Sequence, residues 1–323
     1  MKRVAILLVV AVLLMAPSFG AANPNGVGEG TFDAQCGGAC HGDADMNRSS
    51  ASTVSLEAPT VVYEGLLTSV SVTITGVQTT STGVLGIFLL SDVTGAEDTP
   101  EDDGWTIVSN SEGGTQNYAE VVVAPGVMTH TVEWTLRAPD IGEYQLHAAI
   151  HHGTQDGSGA PFFGVTEAPA SVEVQPVPAN LPRLSDDFQA PVLRTLGEAT
   201  TVRLTTEAVS DLEVEWRVDG GMVRTATATS EGNGIWSFDI PASLEPVVVE
   251  WRVHLEGEGP AQTTPWLALQ SEEPKFTVDE TAAYVQAFAI LFVTMVAFMS
   301  VQRRVPPPSD EPKILPFPNE VMA

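Results

Sequence analysis

The chain contains only two cysteines, Cys36 and Cys40, and His41 follows the second directly. Two thiols followed by an imidazole are the groups that attach a c-type haem. Each thiol adds across a vinyl group, and the adjacent histidine is carried beneath the iron as an axial ligand. The usual spacing is C-x-x-C-H, whereas here it is C-x-x-x-C-H, with Gly37, Gly38 and Ala39 in the gap. Glycine reaches backbone angles that other residues avoid, and none of the three is bulky, so the longer loop can still present both thiols to one porphyrin. A Cys36–Cys40 disulfide in an exported protein is the competing reading, although so short a loop gains little from chain entropy. Zinc needs about four ligands, and the motif supplies three unless a distant histidine joins them.

Both chemistries belong on the outer side of the membrane, where c-type haem is attached and disulfides persist, and the ends of the chain supply the route there. Lys2 and Arg3 precede an unbroken apolar run, residues 4–15, and small residues follow around 20–22. That is the pattern of a cleaved signal peptide over 1–22, with the motif in a short segment, 23–49, behind it. Near the other end, residues 282–301 (AAYVQAFAILFVTMVAFMSV) carry no charge and are followed by Arg303 and Arg304. About twenty apolar residues suffice to span a bilayer, and the arginines favour the cytoplasmic side. The expected topology is a single-pass protein of the cell membrane. Its bulk lies outside, with a short cytoplasmic tail over 302–323.

The composition bounds the partners. Asp and Glu total 41 against 14 Lys and Arg, a formal net charge of -27. Nucleic acid would be repelled by such a chain, whereas a basic protein partner would be attracted. No nucleophile elbow, H-E-x-x-H or phosphate loop is present, so no catalytic residues and no small-molecule substrate are assigned.

Between the termini the pattern is short and alternating, as half-buried strands require. The first series is expected at 60–63, 67–75, 84–90, 105–108, 119–123, 130–137, 142–150 and 170–174. The second is expected at 200–206, 211–219, 223–229, 234–240 and 246–255, with Gly220-Gly221 as a hairpin turn. The fold class is all-β, two immunoglobulin-like β-sandwiches over 50–176 and 192–276 joined by a proline-rich linker, 177–191. Trp216, Trp236, Trp251 and Trp266 read as core and sandwich-edge packing. The second sandwich reads as a spacer that lifts the first clear of the membrane. The acidic stretch 92–104, with Asp92, Asp98, Asp102 and Asp103, does not match an EF-hand and reads as a solvated loop.

The order of these features resembles the choice-of-anchor V type of exported protein, related to reeler-like domains. The residues that carry the likeness are 28–42 (GEGTFDAQCGGACHG), 66–76 (LLTSVSVTITG) and 142–164 (GEYQLHAAIHHGTQDGSGAPFFG). The resemblance covers roughly 28–174 and departs from the family at the cysteine spacing. It implies a motif segment ahead of a reeler-like sandwich, with the histidines of the late strand near the motif. His151 or His152 is then the expected distal metal ligand, opposite His41. His147 and His151 would share a strand face about 13 Å apart, at about 3.3 Å per residue, too far for one metal without a bend. A copper or zinc site built from His147, His151 and His152 is a further alternative.

The reading that follows is a membrane-anchored extracytoplasmic haem c protein passing single electrons to a redox partner protein. The alternative is a surface adhesion or structural protein in which the cysteines form a disulfide and no haem is held.

Overall fold

The computed structural model describes residues 49–79, 83–93, 98–124, 126–152, 162–273 and 280–304. Cys36, Cys40, His41 and the expected signal peptide lie outside the described residues. Apart from one 3-10 turn, Pro100–Asp103, the described elements between residues 49 and 273 are β-strands, and they form two immunoglobulin-like sandwiches within one compact unit.

The first sandwich contains β1 (Thr53–Glu57), β2 (Val61–Tyr63), β3 (Leu67–Thr79), β4 (Gly83–Leu90), β5 (Thr106–Asn110), β6 (Tyr118–Val123), β7 (Gly126–Arg137), β8 (Gly142–His152), β9 (Phe162–Val165) and β10 (Ala170–Gln175). One sheet runs β1-β3-β7-β5 and the other β2-β10-β8-β4-β6, with β9 paired to β8. Alternation explains the layers. Val70, Val72 and Ile74 on β3 and Val132, Trp134 and Leu136 on β7 point into the core, while the serines and threonines between them face outward.

The second sandwich repeats this spatial arrangement, with the fifth and sixth strands exchanged between the two sheets. Its strands are β11 (Arg183–Leu184), β12 (Leu193–Thr195), β13 (Thr200–Glu207), β14 (Val209–Val218), β15 (Arg224–Ala226), β16 (Thr229–Gly232), β17 (Ile235–Ile240), β18 (Val248–Gly257), β19 (Gln262–Thr263) and β20 (Leu267–Glu272). The sheets run β11-β13-β17-β16 and β12-β20-β18-β14-β15, with β19 paired to β18. The parallel edge pair of the first sandwich, β2 with β10, recurs as β12 with β20. Asp219 and Gly220 both take positive φ, 45° and 66°, as a tight hairpin turn between β14 and β15 requires.

Two sequence expectations change here. Residues 223–229 do not form one strand: β15 belongs to one sheet and β16 to the other, so the chain crosses between layers. The stretch 177–191 is more than a tether, because Leu184 and Phe188 are buried in the second core and β11 pairs with β13.

The sandwiches pack with the outer faces of two sheets against each other. Thr135 Oγ1 donates to the carbonyl of Trp266 at 2.6 Å, and the amide of Ala268 donates to Ser109 Oγ at 3.1 Å. Arg137 donates to the carbonyls of Gly65 and Phe188 at 2.7 and 2.8 Å. Leu67 and Val108 of the first sandwich pack on the second core. The Trp266 ring lies between the guanidinium groups of Arg217 and Arg252, 4.2 and 4.4 Å from its centre. Each arginine is neutralised on its own sandwich, Arg217 by Glu250 and Arg252 by Glu215, both at 2.7 Å. The two sandwiches are therefore packed side by side.

The second compact unit, residues 274–323, contains α1 (Glu280–Arg304). Its stretch Thr281–Ser300 has a mean hydropathy of 2.0 and is long and apolar enough to cross a membrane. Tyr284, Phe288, Ile290 and Phe292 stand exposed along it, as lipid-facing side chains do.

Candidate functional site

The histidines expected near the motif all lie on β8, and the period of the strand sorts them. Leu146, Ala148 and Ile150 point into the sandwich core, so His147, Ala149 and His151 point outward. His152 falls on the inward set, at the strand's end beside Leu85 of β4. The repeated topology gives the same assignment. The β8–β9 ladder pairs His151 with Phe163 and His152 with Phe162, and the β18–β19 ladder pairs His254 with Thr263 and Leu255 with Gln262. His152 thus stands where the second sandwich has a core leucine, and His151 where it has an outward histidine.

Their surroundings differ accordingly. The His151 ring meets Phe88 and Phe163 edge-on, with centroids 5.1 and 5.0 Å away. Phe88 in turn contacts Tyr118 at 4.9 Å. Directly across the ladder from His151 is Gly86. A Cβ there would lie 2.8 Å from the Tyr118 ring, so only glycine lets the tyrosine lie flat over β4 at this point. The Tyr118 hydroxyl donates to Glu120 at 3.0 Å and so fixes the ring's tilt. Phe88, Leu90 and Ala149 form a buried apolar cluster, with Tyr118 and Phe163 packed on it, on the face of the sheet turned away from the main core.

His152 is stacked on Phe162, with centroids 5.2 Å apart and planes 19° from parallel, and its Nε2 lies 2.8 Å from Ser50 Oγ. The neighbouring backbone is anchored too: the Ser50 amide donates to the Phe163 carbonyl, and Ser49 bridges to Phe163. The chain therefore enters the first sandwich at the histidine end of β8. Ser50 lies nine residues after His41, so the covalent chain holds His41 within about 32 Å of Ser50.

His147 sits toward the other end of the strand, half-buried, with Nδ1 3.4 Å from Thr166 Oγ1. Burial pushes its pKa below the ordinary value, a shift partly offset by the carboxylates of Asp92 and Asp98. The strand continues unbroken through His152, so the three histidines are not brought together. Among the described residues no group of three or more His, Cys, Asp or Glu is placed to hold a metal, so the copper or zinc alternative is not formed there. The acidic stretch also departs from a simple solvated loop. Asp98 is fully buried, and the Asp102 carboxylate accepts from the amide and hydroxyl of Thr99 at 3.0 and 2.7 Å, closing the 3-10 turn Pro100–Asp103.

Sequence reasoning missed Ser50, Gly86, Phe88, Tyr118 and Phe163. One signal for them was legible. The run VLGIFLL, residues 84–90, is apolar on both strand faces, and its interior glycine marks a close approach.

No protein-family model matches the chain, and no curated protein matches it. Among solved structures, the tandem Ig repeats of Dlar are similar over 69% of this chain and 100% of that one, at 11% identity and a TM-score of 0.28. A likeness this distant carries no weight beside the topology itself.

Proposed function

We propose that this protein is a membrane-anchored, extracytoplasmic haem c protein that carries single electrons to or from a redox partner. Cys36 and Cys40 would be the thioether carriers and His41 the proximal ligand. The observation that carries the reading is the anchoring of Ser49 and Ser50 at the histidine end of β8, because it tethers the C-x-x-x-C-H motif to the strand that bears the distal candidates. Of the two, His151 is the better choice, because it stands on the outward face of the sheet whereas His152 points toward the core.

The donor is an imidazole between the rings of Phe88 and Phe163, with Tyr118 packed on Phe88 and over Gly86. When bound, the group supplies a one-electron iron couple. Cys36 and Cys40 would hold it covalently, an imidazole of β8 would stand beside it, and the aromatic rings there would keep water from it and tune the couple through burial. The net charge of -27 favours a basic partner surface. The apolar helix would fix the protein to the cell membrane, with Arg303 and Arg304 in the cytoplasm.

The test is a haem stain and pyridine haemochrome spectrum on the full chain, expressed with cytochrome c maturation beside a Cys36→Ala/Cys40→Ala control. Covalent haem that disappears in the control is expected. His151→Ala should then alter the absorption spectrum and the potential, and His152→Ala should change them less. Absence of covalent haem, with an intact mass lower by one pair of hydrogens, would replace this reading by a disulfide in an adhesion or structural module.

A further inference from the structure

Three large apolar side chains stand exposed at one end of the second sandwich. Met222 and Val223, in the segment between β14 and β15, are 81% and 42% exposed, and Leu244, in the loop between β17 and β18, is 85% exposed. Hydrogen bonds gather these segments at the same end. Asp219, which opens the hairpin, exchanges bonds with Val248 at 2.9 Å in both directions, and the Ser243 carbonyl accepts from Gly197 at 2.7 Å. Each of these side chains would gain by leaving water for an apolar surface, and both loops offer theirs at the same end.

The path of the chain indicates which one. Strand β20 pairs with β18 so that Gln270 lies across from Val248, and Leu196 donates to the carbonyl of Glu272. The chain thus leaves the sandwich at this same end. The apolar stretch begins at Thr281, nine residues after Glu272, a covalent reach of about 32 Å at most. We infer that Met222, Val223 and Leu244 rest in the headgroup boundary of the bilayer that α1 crosses, so that this end of the second sandwich is docked on the lipid surface. The inference rests on the reading of α1 as a membrane span and is independent of haem.

The charge around the tips selects the kind of surface. Asp219 and Glu245 flank the apolar residues, with Arg224 the nearest cation along the chain. An anionic leaflet would be repelled, and a zwitterionic one would accept the apolar tips without a charge partner. Shallow insertion of this kind is insensitive to salt, unlike a polybasic contact.

The full chain in the Cys36→Ala/Cys40→Ala background, carrying Met222→Cys, Leu244→Cys, Ser210→Cys or Phe292→Cys one at a time, can be spin-labelled and reconstituted in phosphatidylcholine bilayers. Ser210 is exposed and bonds to Glu256 at the opposite end of the sandwich, and Phe292 lies within the apolar stretch. Collision with oxygen and with a water-soluble nickel complex then reports depth. Labels at 222 and 244 should collide several-fold less with nickel than the label at 210 and more with oxygen, with no change at high salt. Water-like collision at 222 and 244, with 292 in lipid, would overturn the docking and leave the anchor intact. Exclusion of both reagents at 222 and 244 would also overturn it, in favour of a protein contact. A water-exposed label at 292 would remove the anchor and the docking together.

Discussion

Glu250 is the most consequential carboxylate between the two sandwiches, and its removal has a calculable cost. Its side chain is 5% exposed and accepts from Arg217 Nε and Nη2 at 2.7 Å each and from the Gly220 amide at 3.1 Å. Glu250→Ala leaves the Arg217 guanidinium, itself 22% exposed, over the Trp266 ring without its bidentate partner. Stripping one member from a buried pair costs about 3–5 kcal/mol, and the partial exposure of Arg217 brings the expectation down to about 2–3 kcal/mol. Glu133 of the first sandwich softens the loss, because Arg217 attracts it and Glu250 repels it. In a Glu133→Gln background the same Glu250→Ala change should therefore cost about 0.5–1 kcal/mol more. Urea unfolding of the micelle-bound chain, followed by tryptophan emission, measures all four corners of the cycle. A single-variant loss below about 0.5 kcal/mol would mean that the pair is solvated and that the ion network does not hold the sandwiches together. A coupling of the opposite sign would mean that Arg217 does not turn to Glu133.

Burial raises the pKa of Glu133 above its ordinary value of 4.5, against the opposing pull of Arg217, a Ser69 hydrogen bond and Arg252. The folded chain therefore holds that proton more tightly than the unfolded one. Stability from it is complete below about pH 4.5 and is lost as pH rises through the raised value, so Glu133→Gln should gain progressively on the parent protein in thermal melts as pH is raised above about 4.5. Thr135→Val removes the 2.6 Å bond to the Trp266 carbonyl and should cost about 1 kcal/mol by the same urea assay. Gly86→Val forces a side chain into the Tyr118 ring; a loss of about 1–3 kcal/mol and a changed near-ultraviolet signal from the aromatic cluster are expected.

The long strands were legible because they run for several periods. The stretch LTSVSVTIT places Val70, Val72 and Ile74 on one face, and that face is the core. Short edge strands were not. β11 and β19 have two residues each and β12 three, too few to show an alternation, and they form because a neighbouring strand offers its open hydrogen bonds. The proline-rich stretch 177–191 concealed Leu184 and Phe188 for a different reason: composition describes a segment's average, while core membership depends on single side chains reaching a cavity. His151 and His152 were left as alternatives because Ala148, Ala149 and Ile150 are all apolar. Only the pairing to β4 and β9 tells which face of β8 is inward. The motif itself lies outside the described residues, so its part of the proposal rests on chemistry and tether length.

The stacked sandwiches are aligned along a common direction that their contacts trace. Arg137 meets Phe188, Thr135 meets Trp266, Ser109 meets Ala268, and a Cβ at Gly113 would lie 3.1 Å from Val248 and 3.4 Å from Gln270. Moving back along β7 from Arg137 thus moves forward along β20 toward Glu272, where the chain continues to α1. The same movement along the first sandwich leads to Gly126 and to the end of β8, because β7 starts where β3 and β4 join and Leu85 near the start of β4 pairs with His152. The histidine end of the first sandwich and the Glu272 end of β20 therefore face the same way. Under the docking inferred above, a haem held beside His151 would favour a redox partner seated in or on the same membrane over one approaching from the distant side. Reconstitution with a membrane-bound donor should then give faster reduction than an equally reducing soluble donor of the same charge, and equal rates would argue that the histidine end is turned to open solvent.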